Sequence, residues 1–189
     1  MSEKKISDPA DELLILVDEY DNEVGLLDKI STHFKGVLHR AFSIFVFNSM
    51  GFLILHRRAL DKYHSPGLWT NTCCSHPRQG ETTSEACSRR LMEEMGMKCD
   101  LKFAFTFIYR AQFDNGLIEH EFDHVYFGTS DKIPKPEPQE VMDWKYISTH
   151  QLEKDISTRP ENYTEWLKIC LPRLLEKIET SKNDLYLQE

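Results

Sequence analysis

The sequence predicts an α/β protein: a mixed β-sheet core flanked by helices, in a single domain spanning residues 1–189. Three observations carry that reading. Apolar runs of strand length recur along the chain, at Leu13–Val17, Ala41–Asn48, Phe52–Arg58, Leu101–Phe113, Leu117–Phe127 and Val141–Ser148. A helix with legible ends lies between Thr82 and Gly96. An amphipathic segment, Asn162–Ile178, forms a terminal helix. Hydrophobic residues at 40% and charged residues at 29% suit a globular chain, long enough to bury a core without cross-links.

Taken in order, residues 1–11 are polar and are expected to be a flexible tail. LLILV (Leu13–Val17) reads as a buried strand and Asp18–Asn22 as its turn. A charged segment follows, carrying Lys29, His33, Lys35 and His39. AFSIFVFN and FLILHRR then predict a β-hairpin around Ser49-Met50-Gly51, and Asp61–Cys74 a loop punctuated by Ser65-Pro66-Gly67. Thr82 and Glu85 have the spacing of a capping box, Gly96 suits a left-handed cap, and the sparse apolar positions Ala86, Leu91 and Met95 leave one face for charge. Phe103, Phe105, Phe107 and Tyr109 alternate along one side of a strand, with the three phenylalanines expected in the core. Asp114-Asn115-Gly116 is a hairpin turn, and Glu119, Glu121 and Asp123 share a face of the returning strand. Ile133–Pro138 is a Pro-rich connector.

The charge balance, 23 Lys+Arg against 31 Asp+Glu for a net −8, argues against a nucleic-acid binder that relies on phosphate neutralisation. It leaves room for a local basic pocket. Five cysteines (Cys73, Cys74, Cys87, Cys99, Cys170), no signal-peptide pattern and no apolar run near ~20 residues predict free thiols in a reducing cytoplasm, away from membranes. A disulfide between the vicinal Cys73 and Cys74 would be strained.

The densest chemistry lies in Thr70–Met97, TNTCCSHPRQGETTSEACSRRLMEEMGM. Spacing alone would make RRLMEEMG a solvated helix face with i,i+4 ion pairs, single histidines surface or core groups, and Cys87, Cys99 and Cys170 small buried hydrophobes. The run Ser75-x5-Glu81-x7-Arg89-Arg90-Leu91-x-Glu93-Glu94-x-Gly96-Met97 nevertheless resembles the Nudix box, G-x5-E-x7-R-E-U-x-E-E-x-G-U, with U bulky and apolar. Two positions depart: Ser75 stands for the first Gly and Arg90 for the first Glu of REU. The resemblance implies the Nudix fold, and the second departure argues against ordinary diphosphate hydrolysis, because that glutamate helps hold the metals of Nudix hydrolases. TNTCCSHP (Thr70–Pro77) closely resembles the cysteine motif of the type 1 isopentenyl-diphosphate isomerases, a Nudix-fold family. LHRAFSIFVFN, HRRALDKYHSPGLWTNTCCSHP, YRAQFDNGLIEHE and Trp166 follow the family's order, so the resemblance runs from about Leu13 to the terminal helix.

What that resemblance implies is specific. The reaction moves a double bond between isopentenyl and dimethylallyl diphosphate through a carbocation-like state. Cys74 and Glu121 are the paired proton donor and acceptor, assisted by Tyr109, while Cys73 is structural. His33, His39, His76, Glu119 and Glu121 are the ligands of a divalent ion (Mn²⁺, Zn²⁺ or Mg²⁺), a nitrogen and oxygen set that suits six-coordinate or irregular zinc geometry. Lys29, Arg58, Lys62 and Arg90 bind the diphosphate, with Ser75 also in the substrate site, and Glu94 holds a bridging Mg²⁺. Trp166 offers its ring face to the cation or anchors the terminal helix. A monomer acting on a small molecule is expected. Two rival readings are a Nudix pyrophosphohydrolase, which requires the glutamate replaced here by Arg90, and a non-enzymatic zinc module, which needs no converging cations.

Overall fold

The computed structural model describes residues 12–186, with side chains through residue 180. The expected tail, residues 1–11, lies outside the described residues. In chain order the elements are β1 (Leu13–Val17), β2 (Glu23–Asp28), α1 (Lys29–Lys35), β3 (His39–Phe47), β4 (Leu53–Arg58), β5 (Trp69–Thr70), β6 (Cys73–Ser75), α2 (Thr83–Met95), β7 (Leu101–Gln112), β8 (Ile118–Thr129), β9 (Val141–Ile147), α3 (Thr149–Thr158) and α4 (Glu165–Tyr186). The strands form one mixed sheet centred on β3, which runs parallel to β8 from His39 opposite Glu121 to Phe47 opposite Thr129. The other strand pairings are antiparallel.

Alternation along β3 divides the interior. Phe42, Ile44 and Val46 face α2, where they pack with Ala86, Cys87, Leu91 and Met95. Phe45 faces the other way, into a core shared with Phe107, Val125, Leu167, Leu171 and Leu174 from β7, β8 and α4. The helix α2 ends as expected: the Thr82–Glu85 capping box is closed on both sides, and Gly96 at φ 60° caps Leu91 and Met92. Any Cβ at Gly96 would collide with the Lys135 carbonyl, so the connector after β8 is docked against that cap.

The expected hairpin between β3 and β4 is splayed. The turn forms, with Asn48 accepting from the amides of Met50 and Phe52, yet only Phe47 and Leu53 pair. The segment from Asn71 to Ser75 is driven between the two strands instead. Thr72 is the wedge: its hydroxyl accepts from Val46 N at 2.8 Å and donates to Ile54 O at 2.7 Å, replacing a ladder bond to each strand. The stretch expected as a loop therefore contains β5 and β6, and β6 sets Cys73 and Cys74 against Ile44 and Ser43.

Other departures are local. The charged segment before His39 is the exposed edge strand β2 followed by α1, whose seven residues are capped by Asp28 and Gly36. The terminal helix begins at Glu165, after a 3-10 turn over Pro160–Asn162, and α3 precedes both. A bulge at Ala104 puts Phe103 and Phe105 on opposite faces, so Phe103 is 57% exposed and not in the core. Cys99 is only half-buried, whereas Cys87 and Cys170 are buried.

Candidate active site

A cavity of about 750 Å³ opens where β6, β7, β8, α1, α2 and α4 converge. Its wall includes Cys74, Tyr109 and Glu121, all of Lys29, Arg58, Lys62, Ser75, Arg90 and Trp166, and His76, Glu94 and Glu119. His33 and His39 lie behind that wall, fully buried.

At one end, one donor atom each from His33, His39, His76 and Glu121 lie within 4.8 Å of one another. Backbone geometry brings them together. His39 opens β3 directly beside Glu121 in the parallel register. His33 is aimed inward from α1, and His76 follows β6. The His33 Nδ1–H donates to Lys29 O at 2.7 Å and the His39 Nδ1–H to Val37 O at 2.9 Å. Both Nε2 atoms are then left buried without a hydrogen-bond partner among the described residues. Burial pushes His33 down to about 3, helped by His76 and His39, and burial also lowers His76, so these rings are neutral at physiological pH. Imidazoles fixed through Nδ1, with bare Nε2 atoms and an adjacent carboxylate, fit a divalent cation.

Glu119 stands outside this four-atom group. Its carboxylate lies 3.4 Å from His64 Nε2 and 3.0 Å from the Tyr109 hydroxyl, which is also 2.7 Å from Glu121. One hydroxyl proton cannot serve two carboxylates. The Tyr109 hydroxyl is the donor to either carboxylate, with the shorter contact to Glu121. Burial and the charge of Glu121 push Glu119 well above the usual range. Burial would also raise Glu121, but the His39 and His76 rings beside it, the latter 3.3 Å away, hold it well below. Below them in the same strand, Asp123 accepts from the Ser43 hydroxyl at 2.8 Å and is pushed up by burial and by Glu121.

Cys74 is half-buried, and burial raises its thiol well above the usual range even with Arg58 opposing. The sulfur therefore carries its proton at neutral pH. Cys73 is fully buried on the opposite side of β6, in the core under α2. Asn71 fixes this strand: its amide donates to Cys73 O at 2.7 Å and Ile44 O at 3.3 Å, while its carbonyl accepts from Thr70 and from Trp166 Nε1 at 3.2 Å. Trp166 is thereby tied to the cysteine segment, and its ring also faces the Arg58 guanidinium at 5.2 Å.

The opposite end is charged throughout. Arg90 reaches Glu94 at 2.6 Å, Glu93 at 2.9 Å and Glu140 at 3.2 Å, Lys62 is paired with Glu140, and Lys29 lies 2.8 Å from Glu12. Burial would raise Glu12 and Glu140, but their cations hold both down to about 2. Glu12, His64, Asn71 and Glu140 are the site residues that sequence reasoning missed. Asn71 alone carried a signal, as a residue of the TNTCCSHP motif.

Comparison with known proteins is consistent with this geometry. Residues 37–167 match the NUDIX domain family. The chain is 56% identical over 162 residues to Isopentenyl-diphosphate Delta-isomerase 2 of Aromatoleum aromaticum, covering 86% of each protein. It is 46% identical over 171 residues to Isopentenyl-diphosphate Delta-isomerase of Pectobacterium atrosepticum, covering 90% of this chain and 96% of the relative. In fold it resembles a Deinococcus radiodurans crystal structure at TM-score 0.73 and 22% identity, covering 86% and 98% of the two chains. It also resembles the MutT protein of Methanosarcina mazei at TM-score 0.61 and 15% identity, covering 74% and 94%.

Proposed function

The chain belongs to the isopentenyl-diphosphate Delta-isomerases built on the NUDIX domain, and from that membership we propose how its residues interconvert isopentenyl and dimethylallyl diphosphate. The observation that carries the reading is the convergence of Cys74, Tyr109, Glu121 and four cations on one cavity. Lys29, Arg58, Lys62 and Arg90, with Ser75, hold the diphosphate and so fix the hydrocarbon between Cys74 and Glu121. One of these two groups delivers a proton to the alkene and the other removes a proton from the neighbouring carbon; the roles exchange with direction. Tyr109 aligns the Glu121 carboxyl and links it to Glu119. Trp166 faces the developing tertiary cation, worth about 2 kcal/mol when desolvated. Water has to be kept from that cation, which it would capture as an alcohol.

His33, His39, His76 and Glu121, with Glu119 adjacent, would hold a divalent ion (Mn²⁺, Zn²⁺ or Mg²⁺), and Glu94 a Mg²⁺ beside the diphosphate. When bound, such ions set the acidity of a ligating carboxyl and neutralise phosphate charge. The protein acts as a cytoplasmic monomer on this small-molecule substrate, without nucleic acid or membrane; among the described residues no helix is long and apolar enough to cross a membrane. Arg90, paired with three glutamates where the Nudix box has a metal-holding one, disfavours the hydrolase alternative. The test is proton NMR of isopentenyl diphosphate incubated in D₂O with the protein and Mg²⁺. The dimethylallyl isomer carrying solvent deuterium is the expected product. Unchanged isopentenyl diphosphate beside cleaved nucleoside diphosphate conjugates would install the hydrolase reading.

A further inference from the structure

Three of the four cations assigned to the diphosphate are already neutralised from within. Lys29 is held by Glu12, Lys62 by Glu140, and Arg90 by Glu94 and Glu140 together. Arg58 differs. Among the described residues no carboxylate pairs with it; its Nη2 donates to the His64 carbonyl at 3.1 Å, and its buried Nε has no partner. A phosphate oxygen arriving at Arg58 displaces nothing, whereas one arriving at Lys29, Lys62 or Arg90 must compete with a resident carboxylate.

The backbone keeps those competitors in place. The Glu140 carbonyl accepts from Ala59 N at 3.0 Å, ahead of the loop that carries Lys62. Its amide donates to Glu137 O, and Glu137 N donates to Glu94 O in α2, the helix that carries Arg90. The Glu140 Cα is therefore tied to both cation-bearing segments and stays in reach when a ligand enters. Glu12 is placed likewise, its carbonyl accepting from Lys29 N at 2.9 Å. Both side chains line the cavity.

We infer that Glu12 and Glu140 are resident counter-anions, which occupy the donors of Lys29, Lys62 and Arg90 between turnovers and lower the site's affinity for the diphosphate group. The inference rests on the assignment of these cations to the diphosphate. Substrate and product carry the same diphosphate, so a site with four bare cations would retain product as firmly as substrate, and uniform tight binding does not accelerate turnover. A fixed carboxylate beside the departing group re-pairs each cation as it is vacated.

The experiment is calorimetric titration of the purified protein with inorganic pyrophosphate at constant free Mg²⁺, with thermal melting of each variant. Glu140→Gln is expected to lower the pyrophosphate Kd about tenfold, through removal of a like charge from the contact. Glu12→Gln should lower it less, because Lys29 keeps a single contact, and both should reduce kcat through slower product release. Arg58→Ala should raise the Kd. If Arg58→Ala weakens binding while the two glutamine variants bind no more tightly than wild type, the counter-anion inference is overturned and the diphosphate site survives. If Arg58→Ala leaves the Kd unchanged, the diphosphate assignment beneath it fails. Should Glu140→Gln not fold, the Glu12→Gln titration decides alone.

Discussion

Both ends of the cavity are built on glutamates, and what differs is their partners. Glu119 and Glu121 meet neutral imidazoles and a phenol, groups that can take or give a proton. Glu12, Glu94 and Glu140 meet lysine and arginine, which at neutral pH keep theirs. On the function proposed above, the same side chain is a proton-handling group at one end and a fixed charge at the other. Burial alone does not separate them, since Glu94 at the charged end is 5% exposed and Glu121 8%. Partner chemistry does.

The largest effects should come from the proton-handling end. Glu121→Gln and Cys74→Ala are expected to lower kcat by about 10³-fold or more, with circular dichroism and melting close to wild type. A Glu140→Gln protein as inactive as these would erase the contrast between the two ends. Tyr109→Phe, which leaves both carboxylates but removes the hydroxyl between them, should cut kcat by about 10–100-fold and leave KM nearly constant. A KM change of that size with kcat intact would move Tyr109 to the substrate-holding side.

The charged end should appear in stability against pH. Glu12 and Glu140 titrate at about 2 in the folded protein, below the ordinary 4.5. Their contribution is therefore complete above about pH 5 and is lost as pH falls through the unfolded and then the folded value. For Glu140 it amounts to about 2–3 kcal/mol. Melting curves taken from about pH 6 down to pH 3 should fall less steeply for Glu140→Gln than for wild type. Identical slopes would mean that solvent screens the Lys62 and Arg90 pairs. The smallest effect belongs to Cys73, which serves neither end. Cys73→Ala should retain activity within about twofold and lose about 1 kcal/mol of stability, and a dead Cys73→Ala beside an active Cys74→Ala would reverse the two thiols.

What the sequence made legible follows from locality. The α2 caps depend on residues three or four apart, and the shared face of Glu119, Glu121 and Asp123 on a two-residue period, so both are visible in one dimension. The wedge between β3 and β4 is not, because Thr72 answers to Val46 and Ile54, residues whose need for a partner exists only once the hairpin opens. Phe103 misled because the bulge at Ala104 interrupts an alternation that the sequence continues. Glu140 and Glu12 were missed because an acidic residue in a polar stretch looks solvated until the cations facing it are known. His64 was missed because the contacts that place it in the site, Glu119, Phe113 and Trp166, come from distant segments.

The parallel pairing of His39 with Glu121 also fixes when the site can exist. The two residues lie about 80 positions apart, and a parallel pairing of that span closes late because chain entropy opposes it until neighbouring strands are in place. A growing chain emerges from the ribosome with its three histidines well before Glu121, and the fourth donor arrives only when β8 docks against β3. An ion that needs all four donors would therefore enter after β8 has docked. A chain truncated before Glu121 would have three imidazoles and no shared centre to hold it.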